Sequence, residues 1–164
     1  MAKATHKIPP GFHTLTPHLV IKDAAKAIDF YKKAFGAEEI SRMPTPDGRL
    51  MHASLKIGDS IFFLCDEFPE YDCGSVSPST LQKAHATLHV YVDDADKAFK
   101  RAVDAGANGV MPPQDMFWGD RYGRLIDPFG QPWSIGTHVE DLTPEEMKKR
   151  METQCAPAKA AAKV

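Results

Sequence analysis

The sequence predicts an α+β fold in which two β-α-β-β-β modules set their sheets into a curved, half-open β-barrel with helices outside. Three observations carry this. The segment "HLVIKDAAKA", from His18, recurs as "HVYVDDADKA", from His89, 71 positions later, with histidine, aspartate, alanine, lysine and alanine in register. Each copy runs into an amphipathic helical pattern and then into three short strand-like stretches. A Pro/Ser/Gly-rich connector, "EFPEYDCGSVSPS", separates the copies.

The first module covers 14–67. Its opening strand starts at His18. Asp23 is placed to cap the following helix, Ile28, Tyr31 and Phe35 form the apolar stripe, and Gly36 ends it. Strands follow at "EEISRM", "LMHASLKI" and "SIFFLC". The connector occupies 68–85. The second module, 86–140, repeats the order: a strand from His89, a cap at Asp94, a stripe of Ala95, Ala98, Phe99 and Ala102, a stop at Gly106, then "NGVMPP", "RYGRLI" and "PWSIGTH". A C-terminal helix is expected over 141–154, because Thr143 and Glu146 form a capping box around Pro144 and cations follow. The tail 155–164, "CAPAKAAAKV", carries no large apolar side chain and is expected to be disordered. A sheet with a helix on one face only must bury its other face or line a cavity with it.

Composition narrows the function classes. The chain is 43 % hydrophobic and 26 % charged, with a net charge of −2 and both signs scattered. That gives no basic stripe for nucleic acid and no polybasic segment for a membrane surface. No run approaches a membrane span, and the N-terminus lacks the apolar core of a signal peptide. Cys65, Cys73 and Cys155 form no zinc pattern and read as reduced thiols of a cytoplasmic protein.

The stretch "MFWGDRYGRLIDPFGQPW" concentrates aromatic rings, charge and turn formers. Asp127-Pro128-Phe129-Gly130 fits a type I turn. Strand alternation puts Leu125, Trp133 and Ile135 under a helix, and Tyr122, Arg124, Ser134 and His138 on the opposite, concave face. Trp118, beside Gly119, falls in a turn, as a cavity rim or as exposed packing. Arg121 and Asp120 read as a solvated pair. Arg124, on a partly apolar wall, suits a carboxylate, phosphate or enolate, or pairs with a neighbouring acid.

Paired β-α-β-β-β modules, a histidine opening each, and "DPFGQPW" before the last strand resemble the vicinal oxygen chelate superfamily of glyoxalase I, fosfomycin-resistance proteins, extradiol dioxygenases and bleomycin-binding proteins. "DEFPE", "QDMFWGDRYGRLIDPFG" and "THVEDLTPEEM" are similar to its PhnB-like bacterial branch. The resemblance covers about residues 14 to 150 and implies a homodimer. In metal-using members each module gives a first-strand histidine and a last-strand carboxylate to one ion. Carried over, these positions fall on His18 and His89, and on Phe62 and Ser134, neither of which is an anionic ligand. No metal is therefore favoured, although His52, His138 and Asp66 offer donors for a rearranged divalent-metal site. A shift of 72 positions matches His52 to Arg124.

His18, His52, His89, Arg124 and Ser134 are then the polar candidates of a cavity between the modules, with Phe62, Tyr91, Tyr122 and Trp118 as wall. The favoured reading is a small-molecule-binding protein taking an anionic or aromatic ligand without a metal. The alternative is a divalent-metal-dependent lyase, isomerase or dioxygenase. A metal-free acid/base enzyme using His52 or His89 with Arg124 comes third. No Ser-His-Asp constellation, phosphate loop or dinucleotide fingerprint is present.

Overall fold

Strand β1 (His18–Ile21) leads through helix α1 (Ala24–Phe35) to β2 (Glu38–Pro44), β3 (Leu50–Ile57) and β4 (Ser60–Asp66) in a computed structural model that describes residues 6–71 and 75–154. A 3₁₀ turn (Pro69–Tyr71) and the short helix α2 (Pro78–Leu81) lie in the connector. The second module repeats the order with β5 (Leu88–Tyr91), α3 (Ala95–Asp104), β6 (Asn108–Asp115), β7 (Asp120–Ile126) and β8 (Pro132–His138), and α4 (Pro144–Gln154) closes the chain. Cys73, Cys155 and the 155–164 tail lie outside the described residues.

The sheets run β1-β4-β3-β2 and β5-β8-β7-β6, each mixed, and neither closes on the other into a full barrel. Within each, the first strand pairs parallel with the last, because the helix crosses over between them, while the remaining neighbours are antiparallel. The duplicated pattern thus became the curved, half-open α+β arrangement that the sequence predicts.

Each helix covers one face of its own sheet, and α1 packs on α3, so one core serves both modules. Tyr31 and Phe35 of α1 reach across to Trp133 of β8, with ring centroids 5.4 and 4.5 Å apart, and Phe62 of β4 joins them. Asp127 ties this seam: one oxygen accepts from Trp133 Nε1 (3.0 Å) and the Tyr31 hydroxyl (2.9 Å). The other accepts from the backbone N–H groups of Phe129 and Gln131, both at 2.9 Å. The Gly130 N–H closes the turn on the Asp127 carbonyl at 3.1 Å. Gly106 and Gly130 adopt left-handed φ where the chain turns sharply.

The helix starts differ between the copies. Asp94 caps α3 by accepting from the Lys97 N–H at 3.0 Å. Asp23 does not cap α1: it sits at φ 64° with its side chain turned to Lys26. Buried Asp66, at the end of β4, replaces it. Its oxygens accept from Ala24 N (2.9 Å), at the helix start, and from Leu50 N (2.6 Å). That carboxylate is spent on backbone and offers no donor for a metal. In the connector, Glu67 accepts from the Ser77 and Thr80 hydroxyls at 3.0 and 2.6 Å. Thr143 and Glu146 close their capping box at the start of α4.

Candidate functional site

Strand alternation turns one face of each sheet to its helix and leaves the other free of helix. On the first sheet the free face carries His18, His52, Ser54 and Phe63. His18 and His52 stand edge to face at 5.9 Å, and Phe63 contacts His18 at 5.8 Å and His52 at 4.7 Å. Phe12, from the segment before β1, lies on Phe63 at 5.6 Å. The His52 Nε2 and Ser54 Oγ are 3.2 Å apart. Burial lowers the proton affinity of His18, and the neighbouring His52 lowers it further.

The free face of the second sheet is more polar. His89 Nδ1 and Ser134 Oγ share a 2.8 Å hydrogen bond. The His89 ring stacks at 14° on Tyr122 (5.9 Å) and meets Tyr91 edge-on (4.5 Å). Gly136 makes room for this: a Cβ there would stand 2.9 Å from His89 Cε1 and 3.4 Å from the Tyr91 ring. Burial also lowers the proton affinity of His89, against the pull of the Asp120 charge.

Trp118 sits in the turn before β7, edge to face with Tyr122 at 5.5 Å. Its Nε1–H and the Tyr91 hydroxyl both donate to Asp120 Oδ2, each at 3.1 Å. The other Asp120 oxygen accepts from His138 Nδ1 at 2.8 Å. Arg124 is exposed on this face, opposite Ser134 in the ladder, and makes no hydrogen bond or ion pair among the described residues.

Several expectations need correction. Phe62 does not share the face of His18; it is 5 % exposed in the core beneath Tyr31. The ladder sets His18 opposite Phe63 and His89 opposite Ser134, so Phe63 is the counterpart of Ser134. Likewise Ser54 pairs with Phe63 as Arg124 pairs with Ser134, so Arg124 matches Ser54, and His52 matches Tyr122. A match at 72 positions displaced Phe62 by one residue, which in a strand reverses the face, and His52 by two, which keeps it. Asp120 is not half of a solvated pair with Arg121. Asp120 is 5 % exposed, while Arg121 turns to the helix side and pairs with Asp96 and with Asp115.

The structure therefore gathers the candidates into two clusters, His18 and His52 with Phe63, and His89, Tyr91, Tyr122, Trp118, Ser134 and Arg124. Among the described residues no hydrogen bond, ion pair or ring contact joins the two. Between the modules runs an open groove of about 660 Å³ that takes in His89 and Tyr91, Pro17 beside His18, and the edge of Phe62. Asp120 is the buried carboxylate of this cluster that the sequence reading left at the surface. Its signal was its alternation with Tyr122 and Arg124, which puts it on the helix-free face. Among the described residues no three His, Cys, Asp or Glu side chains converge on a point that could hold a metal ion, and no helix is long and apolar enough to cross a membrane.

Known proteins share this architecture. A Mycobacterium tuberculosis protein, uncharacterized protein Rv0887c, is 46 % identical over 142 residues, 85 % of this chain and 83 % of that one. The crystal structure of TioX from Micromonospora sp. ML1 matches with a TM-score of 0.61 and 28 % identity, over 77 % of this chain and 99 % of that one. A PhnB protein from Bacillus cereus, described as a putative 3-demethylubiquinone-9 3-methyltransferase, shares the fold at a TM-score of 0.58 and 18 % identity, over 76 % of this chain and 99 % of that one. Residues 11–135 match the model of the Glyoxalase/Bleomycin resistance protein/Dioxygenase superfamily, and the chain belongs to that family.

Proposed function

We propose that this protein binds a small aromatic anion on the helix-free face of its second module, without a metal, as a cytoplasmic homodimer. The observation that carries the reading is Arg124. An exposed guanidinium without a side-chain partner among the described residues stands beside the Ser134–His89 pair and Tyr122, on a face that also carries Tyr91. Arginine supplies a planar fork for carboxylate or phosphate, and the rings supply apolar area. His89, whose proton affinity burial lowers, adds a hydrogen-bonding ring nitrogen.

The residues present do not fit a divalent ion. Beside His18 the ladder puts Phe63, which has no donor atom. Beside His89 it puts Ser134, whose hydroxyl is already engaged with Nδ1 of that imidazole. Two neutral imidazoles on separate sheets leave a hard cation's charge uncompensated. The homodimer is supported by side chains such as Ile40, Met43 and Val110, each more than half exposed.

Calorimetric titration with benzoate, phenyl phosphate and neutral benzamide tests the reading. The anions bind and benzamide binds at least about tenfold more weakly, as expected when a charged hydrogen bond is lost. Arg124→Ala removes the difference, whereas Arg121→Ala on the opposite face retains it. Equal binding of all three probes, or none, refutes the proposal. Stoichiometric zinc, manganese, nickel or iron in untagged protein would restore the metal-dependent lyase, isomerase or dioxygenase reading.

A further inference from the structure

We propose that Asp120 is a positioning residue for the aromatic wall and that His138, its protonatable partner, makes the hold on an anion depend on pH; this rests on the anion reading above.

Asp120 links three parts of the second module. Its Oδ2 holds Tyr91 of β5 and Trp118 of the 116–119 turn, and its Oδ1 holds His138 of β8. Tyr91 is 66 % exposed, and packing alone would leave its rotamer free. The shared carboxylate fixes both rings, so a ligand meets a wall already in place. Gly119 sets the turn that presents Trp118. It adopts φ 94°, and its carbonyl accepts from both Val139 and Glu140 N–H at 2.9 Å.

The charge on this carboxylate is balanced from one direction. Tyr91 and His89 approach from β5, Trp118 from the turn, His138 from β8, and Asp141 lies beyond His138, 3.0 Å from its Nε2. Arg121, adjacent in sequence, is committed to Asp96 and Asp115 on the other face. Among the described residues His138 is the one basic side chain paired with Asp120, whose side chain is 8 % exposed against 54 % for the histidine. Asp120 and Asp141 together raise the proton affinity of His138 above its ordinary value of 6.5. When His138 is protonated, the pair is neutral. When it is deprotonated, the hydrogen bond persists through the neutral ring, but an uncompensated carboxylate stands behind the wall. Asp120, Tyr122 and Arg124 alternate along one face of β7, so that charge acts on anything Arg124 holds.

The test is calorimetric titration of benzoate from about pH 6 to about pH 9, with acrylamide quenching of tryptophan fluorescence alongside. Wild-type affinity falls about twofold as pH rises, the size expected in a solvated groove of one charge four strand residues, about 13 Å, from Arg124. His138→Gln binds at the weaker, high-pH strength throughout and loses the step. Asp120→Asn exposes Trp118 to quencher, over the unchanged baseline of buried Trp133. A pH step that survives in His138→Gln, or Trp118 quenching unaltered by Asp120→Asn, overturns the proposal. If Asp120→Asn fails to fold, the surface variant His138→Gln still decides. If benzoate does not bind the wild type, the anion reading fails, and quenching of Trp118 in Asp120→Asn still decides the positioning role.

Discussion

Removing the Asp127 carboxylate should unfasten the seam between the modules. In Asp127→Ala the Trp133 indole N–H and the Tyr31 hydroxyl lose their acceptor, and both residues are buried, at 2 and 0 % exposure. A buried donor left without a partner costs about 1–3 kcal/mol. The Phe129 and Gln131 N–H groups also lose theirs, although Phe129 is nearer solvent. Burial pushes the Asp127 carboxyl up and the four donors pull it back, so part of the wild-type interaction offsets desolvation. The expected loss is about 3–5 kcal/mol, a large share of the stability of an ordinary domain. Tyr31→Phe removes one donor, keeps the turn and leaves three donors on the carboxylate. Its cost should be about 1 kcal/mol. Urea unfolding monitored by circular dichroism and fluorescence reads both as midpoint shifts at constant slope. In the double variant the Tyr31→Phe cost should nearly vanish. An Asp127→Ala penalty no larger than that of Tyr31→Phe would refute the reasoning.

Three further outcomes are expected. In a proton NMR titration His18 and His89 titrate below 6.5 and His138 above it. The depressed pair therefore contributes stability that is present above 6.5 and lost as pH falls through their folded values, and the urea midpoint should drop there. Asp66→Ala leaves Ala24 N and Leu50 N without acceptors and should cost about 2–4 kcal/mol, with faster amide exchange at the start of α1. Gly119→Ala needs φ 94° and puts a Cβ on the Glu140 carbonyl oxygen, so it should cost about 2 kcal/mol or more by thermal unfolding.

Much of the fold was legible because a repeat shows itself twice. Hydrophobic alternation around Trp133 and Leu125 placed the core face, and both are buried. The finer equivalence failed by one residue on the last strands and by two on the third. First and last strands of the modules correspond at 71 positions and third strands at 70, because loops between strands differ in length. Sequence motifs such as "GDSI" mark those loops and do not mark the ladder. Helix capping failed for a different reason: Asp66 reaches α1 across 42 positions, and nothing local to Asp23 reports it. Asp120 was hidden because a neighbouring Arg121 offers a simpler partner on paper, while strand geometry turns the two to opposite faces.

Phe63 and Ser134 occupy one place in two copies of the same module, and the difference between them breaks the symmetry of the molecule. Where Phe63 stands, a ring contacts two imidazoles; where Ser134 stands, a hydroxyl hydrogen-bonds His89 opposite Arg124. Doubling a module supplied the frame, and divergence at Phe63/Ser134, Ser54/Arg124 and His52/Tyr122 made its two halves unlike.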